Sequence, residues 1–180
     1  MFVIIFLFLH VFTKDKYAVS LIHAIITSSI SLCFLPSILY QEEIFLNQDH
    51  FWGQMCAYLT KHYMIYDLLI NVKKIEYVLH HILAIAASSY IMYLREFGTL
   101  VLFIELNEFS TIFLNLFQMN IYPKLNGLLF AFFFFLTRNV WLSWLLYTQS
   151  IPDLYLCIFL YLHYIMQIFW FTKIVKVIMS

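Results

Sequence analysis

Charge is what this 180-residue chain has least of. Ten Lys and Arg with ten Asp and Glu make up 11% of it, at a formal net charge of zero. A soluble domain of this length carries far more charged surface, so a water-soluble globule is excluded. No basic run is present, which argues against nucleic acid as a partner. Glycine is scarce too: Gly53, Gly98 and Gly127 each stand at a segment start, leaving no GxxxG face for helix dimerisation. Of the three prolines, Pro123 and Pro152 lie near helix starts, where a missing N–H costs nothing, whereas Pro36 should kink or end its segment. Cys33, Cys56 and Cys157 form no CxxC pair and read as small core hydrophobes.

What fills the chain instead is apolar: 64% hydrophobic and 21% aromatic residues. A bilayer core needs ~20 apolar residues per helix. Six segments approach that length, at 17–40, 53–72, 77–94, 98–118, 124–147 and 153–172. Residues 1–12 are apolar but reach only ~18 Å at the helical rise. They lack a basic n-region, and Lys14, Asp15 and Lys16 precede the weak cleavage match Ala18-Val19-Ser20, so they read as a short first span rather than a signal peptide. Trp52, Tyr122, Tyr147 and Trp170 at segment ends fit interfacial belts. The expected fold is an all-α, multi-pass membrane bundle of about seven transmembrane helices. It divides into a first segment with its basic loop (1–16), one domain (17–176) and a short tail (177–180).

Loop charges orient this bundle. Lys14, Lys16, Lys73, Lys74, Lys124, Lys173 and Lys176 fall on one side, and only Arg95 on the other, where the loop 41–50 carries Glu42, Glu43 and Asp49. Seven against one puts the lysine side, and the C-terminus, in the cytosol.

The same topology gives each polar residue a depth. The adjacent pair His80 and His81 opens the fourth segment from the lysine side, facing Asp67 and Asn71, which close the third at i and i+4. His23 and Asn115 join them from the second and fifth segments. Ionisable groups at such depth usually face a bundle interior and mark function. A histidine beside a carboxylate serves as general base or nucleophile, and the alternative is that these groups hydrogen-bond one another and hold the helices in register. His23 alone fits the second use better. For His80, His81 and Asp67, the candidate catalytic set, both remain open. Zinc is disfavoured, because neighbouring helical residues point ~100° apart, so no metal is expected.

Deeper in the bilayer lie Glu105 and Glu108, one turn apart, and Arg138. Three unpaired charges in hydrocarbon would be prohibitive, so at least one Glu–Arg bridge is expected. It is either a structural clamp or part of a polar cavity lining for a lipid headgroup or acyl carbonyl. Glu108, Thr111 and Asn115, at i, i+3 and i+7, form one polar stripe, and Ser110 bonds the backbone behind it. Lys61 and His62 in mid-segment either line the same cavity or show that their helix begins later. Phe132 to Phe135 read as lipid-facing or core packing.

The stretch Tyr63-Met64-Ile65-Tyr66-Asp67-Leu68-Leu69, followed by Leu79-His80-His81-Ile82-Leu83-Ala84, resembles the TLC-domain family. That family includes ceramide synthases, translocating-chain-associated membrane proteins and a group named only for the domain. The fifth segment, Glu108-Phe109-Ser110-Thr111-Ile112-Phe113-Leu114-Asn115, is similar to the last group's Glu-x-Ser-Thr-x-Phe-x-Asn pattern. Ser20-x-x-His23-Ala24, Arg138 and Trp170-Phe171-x-x-Ile174-Val175-Lys176 fit as well, so the resemblance covers roughly 17–176. It implies six helices in a ring around a central cavity open toward one face, with His23, Tyr63, Asn71, Glu105, Glu108, Thr111, Asn115 and Arg138 lining it. It also implies the endoplasmic reticulum and membrane lipids as partners. Ceramide synthases carry His-Asp-x-x-Asp where this chain has Asn107, Glu108 and Thr111. That departure weighs against N-acylation of a sphingoid base and favours lipid homeostasis, with no cofactor required. Under an acyltransferase reading, acyl-CoA and an amine would be the substrates. A cargo receptor or translocation helper would need no catalytic pair.

Overall fold

A computed structural model describes residues 2–40, 49–70, 74–148, 151 and 153–179. Asn71, Lys73, Glu42, Glu43 and Pro152 lie outside the described residues. The helices are α1 (Phe2–Thr13), α2 (Lys16–Leu39), α3 (Phe51–Ile70), α4 (Ile75–Leu94), α5 (Gly98–Glu105), α6 (Glu108–Gln118) and α7 (Pro123–Phe134). A π-helical stretch, Phe135–Trp141, then leads into α8 (Leu142–Thr148), and α9 (Leu154–Met179) ends the chain. Among the described residues there is no strand.

Among the described residues, five rods are long and apolar enough to cross a membrane: Lys16–Pro36, Ile75–Leu94, Gly98–Gln118, Pro123–Thr148 and Leu154–Val177. The protein is therefore an all-α, multi-pass membrane bundle. The third expected segment forms the 20-residue α3, which is not among those five; Gln54, Lys61, His62 and Asp67 dilute its hydropathy. It starts at Phe51, earlier than expected. His62 donates from Nδ1 to its own Tyr58 carbonyl at 2.7 Å and packs edge-on to Phe2 of α1. The outer helix α1 covers α3, with Phe6 against Tyr63 and His10 beside the Tyr66 hydroxyl.

Packing closes a ring: α2 on α3, α3 on α4, α4 on α9, α9 on α7 and the π-helical stretch, α7 on α6, and α6 back on α2. Large apolar side chains such as Ile25, Leu79, Phe132 and Ile165 cover its outer surface, as a lipid-facing wall requires. Phe132 and Phe135 point outward while Phe134 is buried, so the phenylalanine run serves both uses expected of it. Cys56 is buried, but Cys33 is exposed on the outer wall rather than in the core.

Two interruptions place polar groups in the middle of spans. Between α5 and α6 the Asn107 amide bonds to the Ile104 carbonyl, one residue short of the α-helical partner. The Phe103 carbonyl is thereby freed and accepts from Trp141 Nε1 at 3.0 Å. Trp141 belongs to the π-helical stretch, the second interruption, which also carries Arg138. π-helical turns are rare and often found at functional sites. Pro36 neither ends nor removes α2, which runs on to Leu39, and Pro123 caps the start of α7 as its missing N–H favours.

Candidate functional site

The first turns of α4 bring His80 and His81 inside the ring. His81 is buried, its Nδ1 donating to the Tyr77 carbonyl at 2.6 Å and its Nε2 lying 2.7 Å from Asp67 Oδ2. The first contact fixes a proton on Nδ1. The second, at a length typical of charge-assisted bonds, shares one further proton between imidazole and carboxylate. Both nitrogens of His81 are thus committed. His80 differs: its Nδ1 is buried with no hydrogen-bond partner among the described residues. Its ring lies 5.7 Å from that of His163 and 4.9 Å from that of Trp170.

Arg138 is buried within the π-helical stretch. It donates through Nε to Ser110 Oγ (3.0 Å), through Nη1 to Gln167 Oε1 (3.2 Å) and through Nη2 to Thr111 Oγ1 (2.8 Å). Glu108 Oε1 is 3.5 Å from the same Nη2, the Glu–Arg bridge expected in the sequence. The guanidinium also lies over the Phe134 ring. Five donors in a fixed fork let one arginine tie α6, the π-helical stretch and α9 together. Glu105 does not join this cluster through a direct bond. Its Oε1 accepts from Thr60 Oγ1 at 2.6 Å, and Thr60 in turn accepts from His23 Nε2 at 3.1 Å.

Three cavities, neighbours sharing wall residues, are lined by these groups. A mouth of about 410 Å³ is lined by Lys16, Lys74, Ser20 and Asn115 together with Asp67 and His81. It shares Tyr63, Asp67 and His81 with a middle cavity of about 290 Å³, whose walls include His80, Glu108, Thr111, Arg138 and Trp170. Met64, His80 and Glu108 are common to that cavity and an inner chamber of about 90 Å³. Glu105, Asn107 and His163 line the chamber on one side and Ile91, Leu100 and Leu156 on another. At the rim Lys173 Nζ pairs with Glu76 Oε1 at 2.9 Å.

His80, His81, Asp67, Tyr63, Glu105, Glu108, Thr111, Asn115 and Arg138 therefore each line at least one of these three cavities. His23 does not: it is buried behind Tyr63, stacked on that ring at 4.1 Å, and lines none of the three cavities. Its role is the helix-to-helix bond with Thr60. Asn71 lies outside the described residues. Sequence reasoning overlooked His163 and Gln167, although a polar pair at i, i+4 within the apolar α9 was the available signal. Thr60 offered no such signal, since a lone threonine in a helix is ordinary.

A family model for the TLC domain matches residues 14–176. No curated protein matches the chain. No solved structure matches it either. With the ring of helices, the His80–His81 pair and a match over nearly its whole length, the chain belongs to the TLC-domain family.

Proposed function

We propose that this membrane protein handles lipid, holding a single lipid molecule in its central cavity with the lysine-bearing end in the cytosol. The observation that carries the reading is the row of cavities inside the ring: a basic mouth, a polar midsection and a chamber with a polar wall opposite an apolar one. An amphiphile presents the same two kinds of surface, and concave sites with a few convergent polar groups are where ligands bind. Lys16, Lys74 and Lys173 flank the entry, and the seven-to-one lysine bias supports its cytosolic placement. The family resemblance supports the endoplasmic reticulum as the compartment. Mass spectrometry of lipids that co-purify with the protein is the test. One lipid class enriched over the surrounding membrane extract is expected, and a co-purified mixture matching that extract contradicts the reading.

A second reading, an acyl-CoA-dependent N-acyltransferase, is favoured by one observation, the unpartnered Nδ1 of His80. That nitrogen would take the proton of an amine attacking the acyl-CoA thioester, with the CoA thiol leaving. His81, with both nitrogens committed, would act as a positioning residue together with Asp67. If the protein acylates amines, His80→Ala should lower turnover by about 100-fold or more. Turnover equal to the unsubstituted protein eliminates His80 as the base. A loss seen only in His81→Ala would transfer the role to the neighbouring ring.

A further inference from the structure

Three residues that line the inner chamber each carry a buried polar atom with no hydrogen-bond partner among the described residues: His80 Nδ1, Glu105 Oε2 and Asn107 Oδ1. Glu105 and Asn107 are 5% and 3% exposed, so bulk water does not compensate them. Leaving a buried polar group unsatisfied costs about 1–3 kcal/mol each, and three on residues around one chamber is a cost that a ligand would remove. The carboxylate and amide oxygens are acceptors, and the imidazole nitrogen can accept or donate. The chamber therefore calls for hydrogen-bond donors. A carboxylate or phosphate, which only accepts, would meet further acceptors there in Glu105 and Asn107.

A donor head could be an ammonium or a set of hydroxyls. Arg138, on the wall of the adjoining middle cavity, decides between them: it already supplies the cation beside the Glu108 carboxylate, 3.5 Å away, so Glu108 has no call for an added ammonium. Hydroxyls donate without adding a charge. A hydrocarbon chain is too long for about 90 Å³, and the adjoining middle cavity offers it Leu114, Phe130, Phe134 and Ile174. Resting on the lipid-handling reading, we propose that the inner chamber binds the hydroxyl-bearing, uncharged head of a single-chain lipid such as a monoacylglycerol. Glu105 and Asn107 receive its hydroxyl protons and His80 completes the set.

The test compares three probes with one tail and different heads, 1-monolauroylglycerol, dodecylamine and lauric acid, on the full chain in nanodiscs. Binding is read by native mass spectrometry and competition. Monolauroylglycerol should bind at least ~10-fold more tightly than lauric acid, the equivalent of one well-formed hydrogen bond to a charged group. Glu105→Gln keeps an oxygen for the Thr60 hydroxyl, and it should weaken monolauroylglycerol about 10-fold while sparing lauric acid. Lauric acid binding as tightly, or dodecylamine binding more tightly, overturns the proposal, as does a chamber filled by ordered water only. The comparison of heads on the unsubstituted protein does not depend on how the variant folds. If lipids co-purify but the three heads bind alike, the head assignment fails and the lipid cavity stands. If no lipid binds at all, both fail.

Discussion

Arg138→Met should destabilise the protein by about 3–5 kcal/mol, the range for removing one partner of a buried ion pair. Methionine matches the length of the arginine stem but carries no donor, so Ser110, Thr111, Gln167 and the Glu108 carboxylate lose their common partner together. The loss is greatest at Glu108, whose charge would remain within the ring beside no cation. Arg138→Lys should fall between the two, since one ammonium cannot span four acceptors on two helices. Adding Glu108→Gln to Arg138→Met should restore part of the stability, because the stranded charge goes with its partner. Unfolding titrations in mixed micelles measure all four proteins. A loss under ~1 kcal/mol for Arg138→Met would mean that the network is solvated and contributes little.

The second large effect is expected where two glycines meet. Gly53 opens α3 and Gly98 opens α5, and a Cβ built on Gly53 would overlap the Gly98 carbonyl. A Cβ on Gly98 would stand 2.5 Å from the His50 backbone nitrogen. The neighbours are backbone, not flexible side-chain ends, so neither helix can yield locally. Gly53→Ala should therefore cost about 3 kcal/mol, at the upper end for overpacking, or shift α3 along the ring. Gly127 provides the control on the same chain. There a Cβ would meet only the Phe117 ring, at 3.4 Å, and Gly127→Ala should be neutral or stabilising by up to ~1 kcal/mol through helix propensity. Thermal unfolding of the two variants beside the parent checks both, and equal effects would contradict the close crossing.

Much of this architecture is legible without coordinates because it follows from hydropathy and charge. Spans show as long apolar runs, and the lysines group at one end because helices alternate in direction. Glu108 and Arg138 announce a bridge because each alone would be too costly in hydrocarbon. The interruptions are different. Neither the Leu106–Asn107 junction nor the stretch from Phe135 to Trp141 contains a glycine or proline to mark it. What decides there is tertiary, the Trp141 indole taking the Phe103 carbonyl across two spans. The polar chain from His23 through Thr60 to Glu105 is equally non-local, joining residues 37 and 45 positions apart, which no periodicity encodes. For the adjacent histidines, sequence located the pair but not its division of labour: His81 is tied to Asp67 and Tyr77, whereas His80 lines the chamber and its Nδ1 has no partner among the described residues. Lys61 and His62 misled for a related reason. Under the cover of α1, His62 satisfies its ring on the Tyr58 carbonyl and on Phe2 rather than in the cavity.

The central claim is that the inner chamber holds lipid, and blocking the chamber tests it most directly. Ala87 lines that chamber, and an indole at this position would fill most of its roughly 90 Å³ without adding charge. Lipid co-purifying with Ala87→Trp, quantified by mass spectrometry per mole of folded protein, should fall at least ~10-fold below the unsubstituted chain. Equal amounts of the same lipid on both proteins would contradict the account, because the lipid would then be bound outside the ring.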